Sequence, residues 1–600
     1  MLKIHAVNAT LVATIIFIVF LPALQNEFVG DDFGYVVKNT FIRSIDLNFF
    51  RSAFLSFQFS NWHPLTWISH AMDYAVWELN PLGHHLTNNI LHAANTFLVV
   101  LLMVRLVEAG KQASLQAATL TISHDSSAST DLPGAGDSRF TLIAAATAGF
   151  FFGLHPLRVE AVAWIAERKE LLCALFFLLS IMMYVKYAAD TAHSAKGIGQ
   201  GARQIGTLHF ALCAVRYRPL LFSLFFFILA LMSKPMAVSL PVVLLILDWF
   251  PFKRIHSLKT FWNALMEKIP FIALSLIASI VTILAQKAGA SIISLAAIPS
   301  SARLLVGAKS LFDYLWRMVL PLNLMPAGYP YPNPRDVAIL SSEYLLSIFL
   351  LIGITVTCAV FAKKQKLWLS VWFYYVITLI PVLGIVKAGG MATADRYSYL
   401  PSLGPSLIVG LLTAGIQERV MAMKRRSLIF KIGAVTAGIV ILIFLSLITI
   451  KQIGLWKNDA AIMDYLNRIR QEEVMERFQK AKGHYNLGTG FEKEGVLDKA
   501  IKEYLSALAL YPYYPEAHFG LGNVYLKAGS TDKSIEHFQA LVALRPDEAF
   551  SHNALGFAYA QRGFTDRAIE HFTAAVRLEP SNPNYQENLR RTSAMKNRLM

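Results

Sequence analysis

The sequence predicts an all-α chain in two parts, a bundle of about eleven membrane-spanning helices followed by a solenoid of helical hairpins. Three observations carry this. Apolar residues fill 55% of the 600 positions and charged residues only 16%, a balance that water-soluble enzymes rarely reach. Apolar runs long enough to cross a hydrocarbon core of about 30 Å recur between residues 11 and 450 and then stop. Towards the C-terminal end the same residues return every 34 positions. The chain therefore divides into a lipid-solvated body, 1–450, a polar linker or capping helix, 451–480, and the repeats, 481–600.

The first apolar run, Asn8 to Ala23, reads as an uncleaved helix, because no clear small-x-small cleavage site follows it. The other spans centre near residues 97, 147, 179, 226, 243, 278, 353, 376, 408 and 439. A long irregular segment, 287–343, holds Pro321, Pro326, Pro330, Pro332 and Pro334. Within it, 304–320 is apolar enough to span, but Lys309, Asp313 and Arg317 argue for a helix lying at the interface.

Sidedness favours eleven spans over twelve. With a cytoplasmic N-terminus the loops 190–218, 251–269, 363–366 and 417–431 are inner, and each gathers positive charge, as cytoplasmic loops do. The clusters are Lys196, Arg203, Arg216 and Arg218; Lys253, Arg254, Lys259 and Lys268; Lys363, Lys364 and Lys366; and Arg419, Lys424, Arg425, Arg426 and Lys431. An odd number of spans leaves the repeats outside. The net charge of +16 is explained by these loops and not by nucleic-acid binding. Cys173, Cys213 and Cys358 lie in or beside apolar segments and form no spaced pair, so no disulfide framework is implied.

In the repeats, Leu487-Gly488, Leu521-Gly522 and Leu555-Gly556 are one pair, repeated. Gly495, Gly529 and Gly563 keep the spacing, as do Ala500, Ser534 and Ala568; Tyr504, Phe538 and Phe572; and Pro512, Pro546 and Pro580. Small residues where two helices touch, an aromatic on the second helix and a closing proline resemble the tetratricopeptide repeat. Such arrays stack into a superhelix whose concave face usually binds peptide, so a protein partner is expected here, with a purely structural spacer as the plain alternative.

Chemistry is expected in the outer loops, since charge at membrane depth is costly and kept for a purpose. Asp31 and Asp32 follow the first span. Paired carboxylates suit general base catalysis, because repulsion and partial burial raise one pKa; a solvated turn is the plain alternative. His63, His84 and His85 sit among Trp and Pro residues typical of interfacial anchors, and no carboxylate at ligand spacing makes the His pair a metal site. The next outer loop carries His155, Arg158, Glu160, Glu167, Arg168 and Lys169. Lys234 lies in a Ser-Lys-Pro turn, and Asp395, Arg396 and Tyr397 follow the ninth span. Guanidinium and ammonium groups there suit a lipid phosphate, although each alone could simply snorkel to the interface.

Asp31-Asp32, Trp62-His63-Pro64-Leu65-Thr66-Trp67, His84-His85-Leu86-Thr87-Asn88, His155-Pro156-Leu157-Arg158-Val159-Glu160, Glu167-Arg168-Lys169, Ser233-Lys234-Pro235 and Asp395-Arg396-Tyr397 occur in this order. With the repeats behind them, nearly the whole chain resembles the transmembrane-and-tetratricopeptide O-mannosyltransferases and their bacterial relatives. The resemblance implies a type C glycosyltransferase body in a bacterial inner membrane, with its site and repeats on the periplasmic side. It implies a sugar donor on a polyprenyl phosphate, mannose in the animal members, an acceptor hydroxyl and inversion at the anomeric carbon. Asp31 or Asp32 matches the acidic pair that acts as base. Arg158, Arg168, Lys234 and Arg396 are expected at the donor phosphate on grounds of charge and side. His63, His84, His85, His155, Glu160, Glu167, Lys169, Asp395 and Tyr397 are expected to support the site. A phosphate leaving group needs no protein acid, so neither cofactor nor metal is demanded.

Two other classes compete. A membrane-anchored scaffold predicts that the outer charges are dispensable. A transporter of lipid-linked sugar predicts ionisable groups near mid-membrane, whereas here the span centres are almost uncharged.

Overall fold

The computed structural model describes residues 2–121, 138–197, 206–290, 298–332, 337, 341–384, 391–422 and 428–599. Arg203, Pro334, Lys424, Arg425 and Arg426 lie outside the described residues, as do the side chains of Lys196, Cys213, Arg216 and Lys431. Two compact units result, Met1–Met463 and Asp464–Met600.

The first unit is a multi-pass helical bundle. Each of the eleven expected segments is helical. By length and composition, six described helices are fit to cross a membrane: Lys3–Gln25, Pro81–Lys111, Ile165–Thr191, Leu258–Ala288, Ser342–Phe361 and Ile432–Leu455. Ser138–Leu154 and Pro156–Ala163, bent by 56°, make a seventh if they count as one span. Tyr217–Ser233, the later part of the 28-residue helix Gly206–Ser233, is apolar too, as are the shorter Pro235–Trp249 and Lys366–Val382. Helix Leu403–Ala422 is diluted by Glu418 and Arg419 near its end. Proline breaks account for part of the difference from the expected eleven, since Pro156 bends one pair and Pro235 opens a helix too short for the full thickness.

Helix Ser300–Val319 buries one stripe, Ala302, Val306, Ser310, Tyr314 and Met318, and exposes Leu304, Trp316 and Val319. It is amphipathic, at the spacing of a one-sided helix. The irregular segment after it adds a short two-stranded pairing, Tyr329–Pro330 antiparallel with Met391–Thr393.

The second unit stacks hairpins. Helices Asp459–Lys493 and Leu497–Leu510, then Pro515–Lys527 and Thr531–Leu544, then Ala549–Arg562 and Thr565–Leu578, precede a closing helix, Pro583–Leu599. The segment expected as a capping helix runs without a break into the first hairpin. Gly495, Gly529 and Gly563 turn each hairpin in the left-handed region, at φ +78°, +75° and +87°. A Cβ on Gly522 would meet the Phe538 ring at 2.5 Å, and one on Gly556 the Phe572 ring at 2.9 Å, so the repeating Gly and aromatic are two halves of one contact. Leu521 and Leu555 are buried as that contact requires, while Leu487, in the first hairpin, is exposed.

Candidate functional site

Helix breaks in the first unit supply the polar groups of one cavity. Lys234 is extended (φ −158°, ψ 134°), and Pro235 opens the next turn because it lacks the N–H to continue the helix. Trp164 is extended (φ −94°, ψ 111°) between helix Val159–Ala163 and the turn Ile165–Glu167. Ala394 is extended (φ −146°, ψ 140°) before the turn Asp395–Ser398. Irregular backbone beside membrane helices is tolerated where it is buried in protein or lines a cavity.

That cavity has a volume of about 910 Å³. Its wall includes Asp31, His63, Glu167, Lys169, Lys234, Arg396 and Tyr397. Glu167 is the hub: Lys169 Nζ lies 3.0 Å from its carboxylate, Arg396 Nε 3.2 Å and Lys234 Nζ 3.7 Å. Glu160 holds Arg396 from behind, accepting from its backbone N–H at 2.8 Å and pairing with its guanidinium. Glu170 pairs with Lys234. Rings carry the cations on their faces, with Lys169 Nζ 4.9 Å from the Tyr35 centroid, Lys234 Nζ 5.0 Å from Tyr397 and the Arg396 guanidinium 4.8 Å from Tyr397.

Burial works against the charge of Arg396 and of Lys234. The carboxylates outweigh it, Glu167 and Glu160 for Arg396 and Glu170 and Glu167 for Lys234, so both stay ionised above their ordinary range. Burial, with Lys169 and Lys234 adding to it, keeps the His63 ring neutral.

The two adjacent aspartates part company. Asp31 is exposed and faces the cavity. Asp32 is fully buried, accepting from the Val29 N–H at 3.0 Å and the Ala166 N–H at 2.7 Å. Burial lifts its pKa to about 7, the Asp31 charge adds to this, and the two backbone donors only partly offset it. Asp32 thus ties the first loop to the turn before Arg168.

The remaining residues stand apart from the cavity wall. Arg168 is buried and saturated: Asp73 at 2.5 Å, the Asn88 side chain at 2.8 Å and the His84 carbonyl at 2.8 Å. Arg158 is buried between the faces of Phe152 and Tyr399, at 5.4 and 5.3 Å. A His84 ring nitrogen lies 2.9 Å from the Glu78 carbonyl, and His85 is buried beside it. His155 caps the turn after Leu154, accepting from the Leu157 N–H at 3.3 Å. Asp395 lies 3.8 Å from Arg317; burial, then Glu160, push it up to about 7 against that cation.

Sequence reasoning did not single out Asp73, the partner of Arg168, or Glu170, the partner of Lys234. A carboxylate inside the apolar stretch 64–77 was the available signal for Asp73. Phe59, which shares the cavity wall, left no such signal. A second cavity of about 90 Å³ is lined by apolar residues such as Leu102, Val243 and Leu407, with no Asp, Glu, Lys, Arg or His.

Two tetratricopeptide-repeat family models match residues 491–529 and 522–563, and 549–582. A protein O-mannosyl-transferase of Caenorhabditis elegans is 23% identical over 85% of this chain and 63% of its own. The human protein O-mannosyl-transferase TMTC1 is 22% identical over 82% of this chain and 54% of its own. The mouse protein O-mannosyl-transferase TMTC2 is 30% identical over 23% of this chain and 13% of its own. The chain spans less than two thirds of each of these relatives.

Proposed function

For a chain whose homologues are protein O-mannosyl-transferases with tetratricopeptide repeats, we propose a membrane glycosyltransferase that moves a sugar from a polyprenyl-phosphate donor to an acceptor hydroxyl. The observation that supports this best is one cavity wall shared by the Asp31 carboxylate and the cations of Lys169, Lys234 and Arg396.

The chemistry follows from that wall. Asp31 takes the proton of the acceptor hydroxyl as its oxygen attacks the anomeric carbon. The bond from that carbon to the donor phosphate breaks on the opposite side, so configuration inverts, and the phosphate leaves with the electron pair. Lys234, Arg396 and Lys169 meet the charge on the departing phosphate with N–H donors not spent on Glu167. Glu167, Glu160 and Glu170 hold those cations in place before substrate arrives, which lowers the reorganisation needed during reaction. Arg168, expected at the phosphate, is assigned instead to holding the fold, because its guanidinium is spent on Asp73, Asn88 and His84. Arg158, also expected there, lies off the cavity wall between the Phe152 and Tyr399 faces, with Nε and Nη1 unbonded among the described residues.

The same reading sets the site on the non-cytoplasmic face of a bacterial inner membrane, with body 1–450, linker 451–480 and repeats 481–600. The repeats present a protein or peptide acceptor. Support for sidedness is the alternation of Lys and Arg between loops.

The test is sugar transfer by purified protein from a polyprenyl-phosphate mannose to an acceptor pool, read by mass spectrometry. Asp31→Asn keeps size and hydrogen bonding but cannot accept a proton, and is expected to lose about 10²–10⁴ in rate while still binding donor. Asp32→Asn sets an amide N–H against a backbone donor, so it is expected to lower thermal stability. Full transfer by Asp31→Asn, with loss confined to a normally folded Asp32→Asn, would move the base to Asp32. Wild-type protein that consumes no lipid-linked sugar while still capturing partners through its repeats would favour the scaffold.

A further inference from the structure

We propose that the turn Phe59-Ser60 is built to offer an aromatic face to the sugar ring that is transferred, which makes Phe59 a substrate-positioning residue. This rests on the glycosyltransferase reading of the cavity.

The turn is backed by unusual local structure. Gln58 and Asn61 exchange backbone hydrogen bonds of 3.1 and 2.9 Å, which closes a two-residue hairpin over Phe59 and Ser60. Both central residues lie in the left-handed region, at φ +50° and +61°. Hairpins of this kind favour Asn-Gly, since a Cβ there meets steric resistance. A bulky Phe in such a place is strained unless its surroundings over-determine it, and strain of this sort clusters at ligand sites.

The surroundings do over-determine it. The Asn61 amide donates to the Phe59 carbonyl at 2.7 Å, and the Trp62 indole N–H donates to the Phe54 carbonyl at 2.9 Å. The Gln286 amide reaches the Asn61 side chain at 3.3 Å. Two glycines leave the turn its space. A Cβ on Gly34 would lie 2.9 Å from the Phe59 ring, and one on Gly289 would fall 1.7 Å from the Ser60 hydroxyl.

Burial does not account for the ring. Trp67, Tyr35 and Phe59 form a three-ring cluster, with Tyr35 4.9 Å from Trp67 and 5.0 Å from Phe59, and Phe59 5.9 Å from Trp67. Trp67 and Tyr35 are buried, at 1% and 3% exposure, but Phe59, packed against both, remains 50% exposed. It shares the cavity wall with Asp31 and Lys169. An aromatic face is electron-rich, and the C–H face of a pyranose carries partial positive charge, so the two attract. The sugar would stack there beside the carboxylate that activates the acceptor. The bland alternative is a membrane anchor, since Leu55 and Phe57 nearby are also exposed. An anchor needs only apolar bulk.

The experiment uses the full chain in lipid nanodiscs and two probes, a polyprenyl-phosphate mannose and the same polyprenyl phosphate without sugar. Phe59→Leu keeps apolar bulk and removes the ring, and is expected to raise donor KM by up to about tenfold with kcat little changed. The inhibition constant of the sugar-free lipid should stay at its wild-type value. Phe59→Tyr, which restores a ring, should restore KM. An unchanged donor KM in Phe59→Leu overturns the proposal, as does equal weakening of both lipids, which would mean contact with the chain or phosphate. Equilibrium binding of the two lipids separates the questions. Sugar-dependent binding that Phe59→Leu removes, in a protein that never turns over, would sink the transferase reading and uphold the stacking face.

Discussion

Ion pairs of nearly equal length have unequal consequences in the two units. In the membrane body, Arg168 meets Asp73 at 2.5 Å with side chains 0% and 10% exposed. In the repeat array, Arg562 meets Asp532 at 2.6 Å with side chains 50% and 69% exposed. Distance alone would rank them together, and burial separates them. Water already solvates both partners of the exposed pair, so joining them gains little. Neither partner of the buried pair has water to return to. The body thus fixes its charges by enclosing them, whereas the array takes its order from apolar contacts that repeat.

The largest effect expected from this contrast is at Arg168. Arg168→Ala would leave Asp73 buried without its cation, and the Asn88 side chain and His84 carbonyl without their donor. Breaking a buried pair by removing one partner costs about 3–5 kcal/mol. A body melting transition lost or lowered far beyond any change caused by Arg562→Ala is the expected result in detergent, followed by tryptophan fluorescence. Equal shifts for the two variants would break the comparison.

The two units were also unequally legible in the sequence. In the array, each packing contact recurs at fixed spacing, so Gly522 against Phe538 can be read from columns of like residues. Nothing comparable marks the cavity. Its wall joins Asp31, Lys169, Lys234 and Arg396 from four distant stretches, and charge type alone put Arg158 and Arg168 in the same group. Which cation faces the cavity depends on which way its helix break turns, and on a partner such as Asp73 that satisfies it elsewhere. Phe59 was illegible for a related reason. Its turn is closed locally by Gln58 and Asn61, but what braces that turn, Gln286 against Asn61 and the space at Gly289 beside Ser60, comes from a distant stretch of the chain.

A smaller effect sharpens the account of the array. Gly522→Phe would force a side chain into the Phe538 ring, where even a Cβ would sit at 2.5 Å. Overpacking of this kind costs about 1–3 kcal/mol. Repeat arrays depend on nearest neighbours, so the loss should stay within residues 464–600. Hydrogen exchange should quicken across the hairpins while protection in the body holds. Quickened exchange throughout the body would break the separation of the two units.

The smallest effect concerns histidines that recur with the repeat. His518 and His537 bring their Nδ1 atoms to 3.1 Å, and His552 and His571, one repeat later, to 3.0 Å. His518 Nε2–H donates to the Pro512 carbonyl at 3.1 Å, and His552 Nε2–H to the Pro546 carbonyl at 3.0 Å. In a neutral ring that leaves Nδ1 of His518 and His552 as acceptors, so His537 and His571 donate to them. A second proton on either pair would set two cations about 3 Å apart. Burial, then the neighbouring His518, push the His537 pKa down to about 4. Burial, then His552, lower that of His571, against the pull of Glu570. The unfolded chain, with histidines near pKa 6.5, therefore takes up protons first as pH falls. The contribution is full above about pH 6.5, declines between about 6.5 and 4, and is exhausted below that. Half-exposed rings are screened, so the array should lose only on the order of 1 kcal/mol by pH 5.5. Hydrogen exchange in helices 515–578 of the full chain, corrected for intrinsic rates, should show this loss between pH 7.5 and 5.5. The double variant His537→Gln/His571→Gln removes the groups that repel and should flatten the profile. A slope that survives the double variant would assign the pH response to groups other than His537 and His571, such as His518, whose pKa burial also lowers.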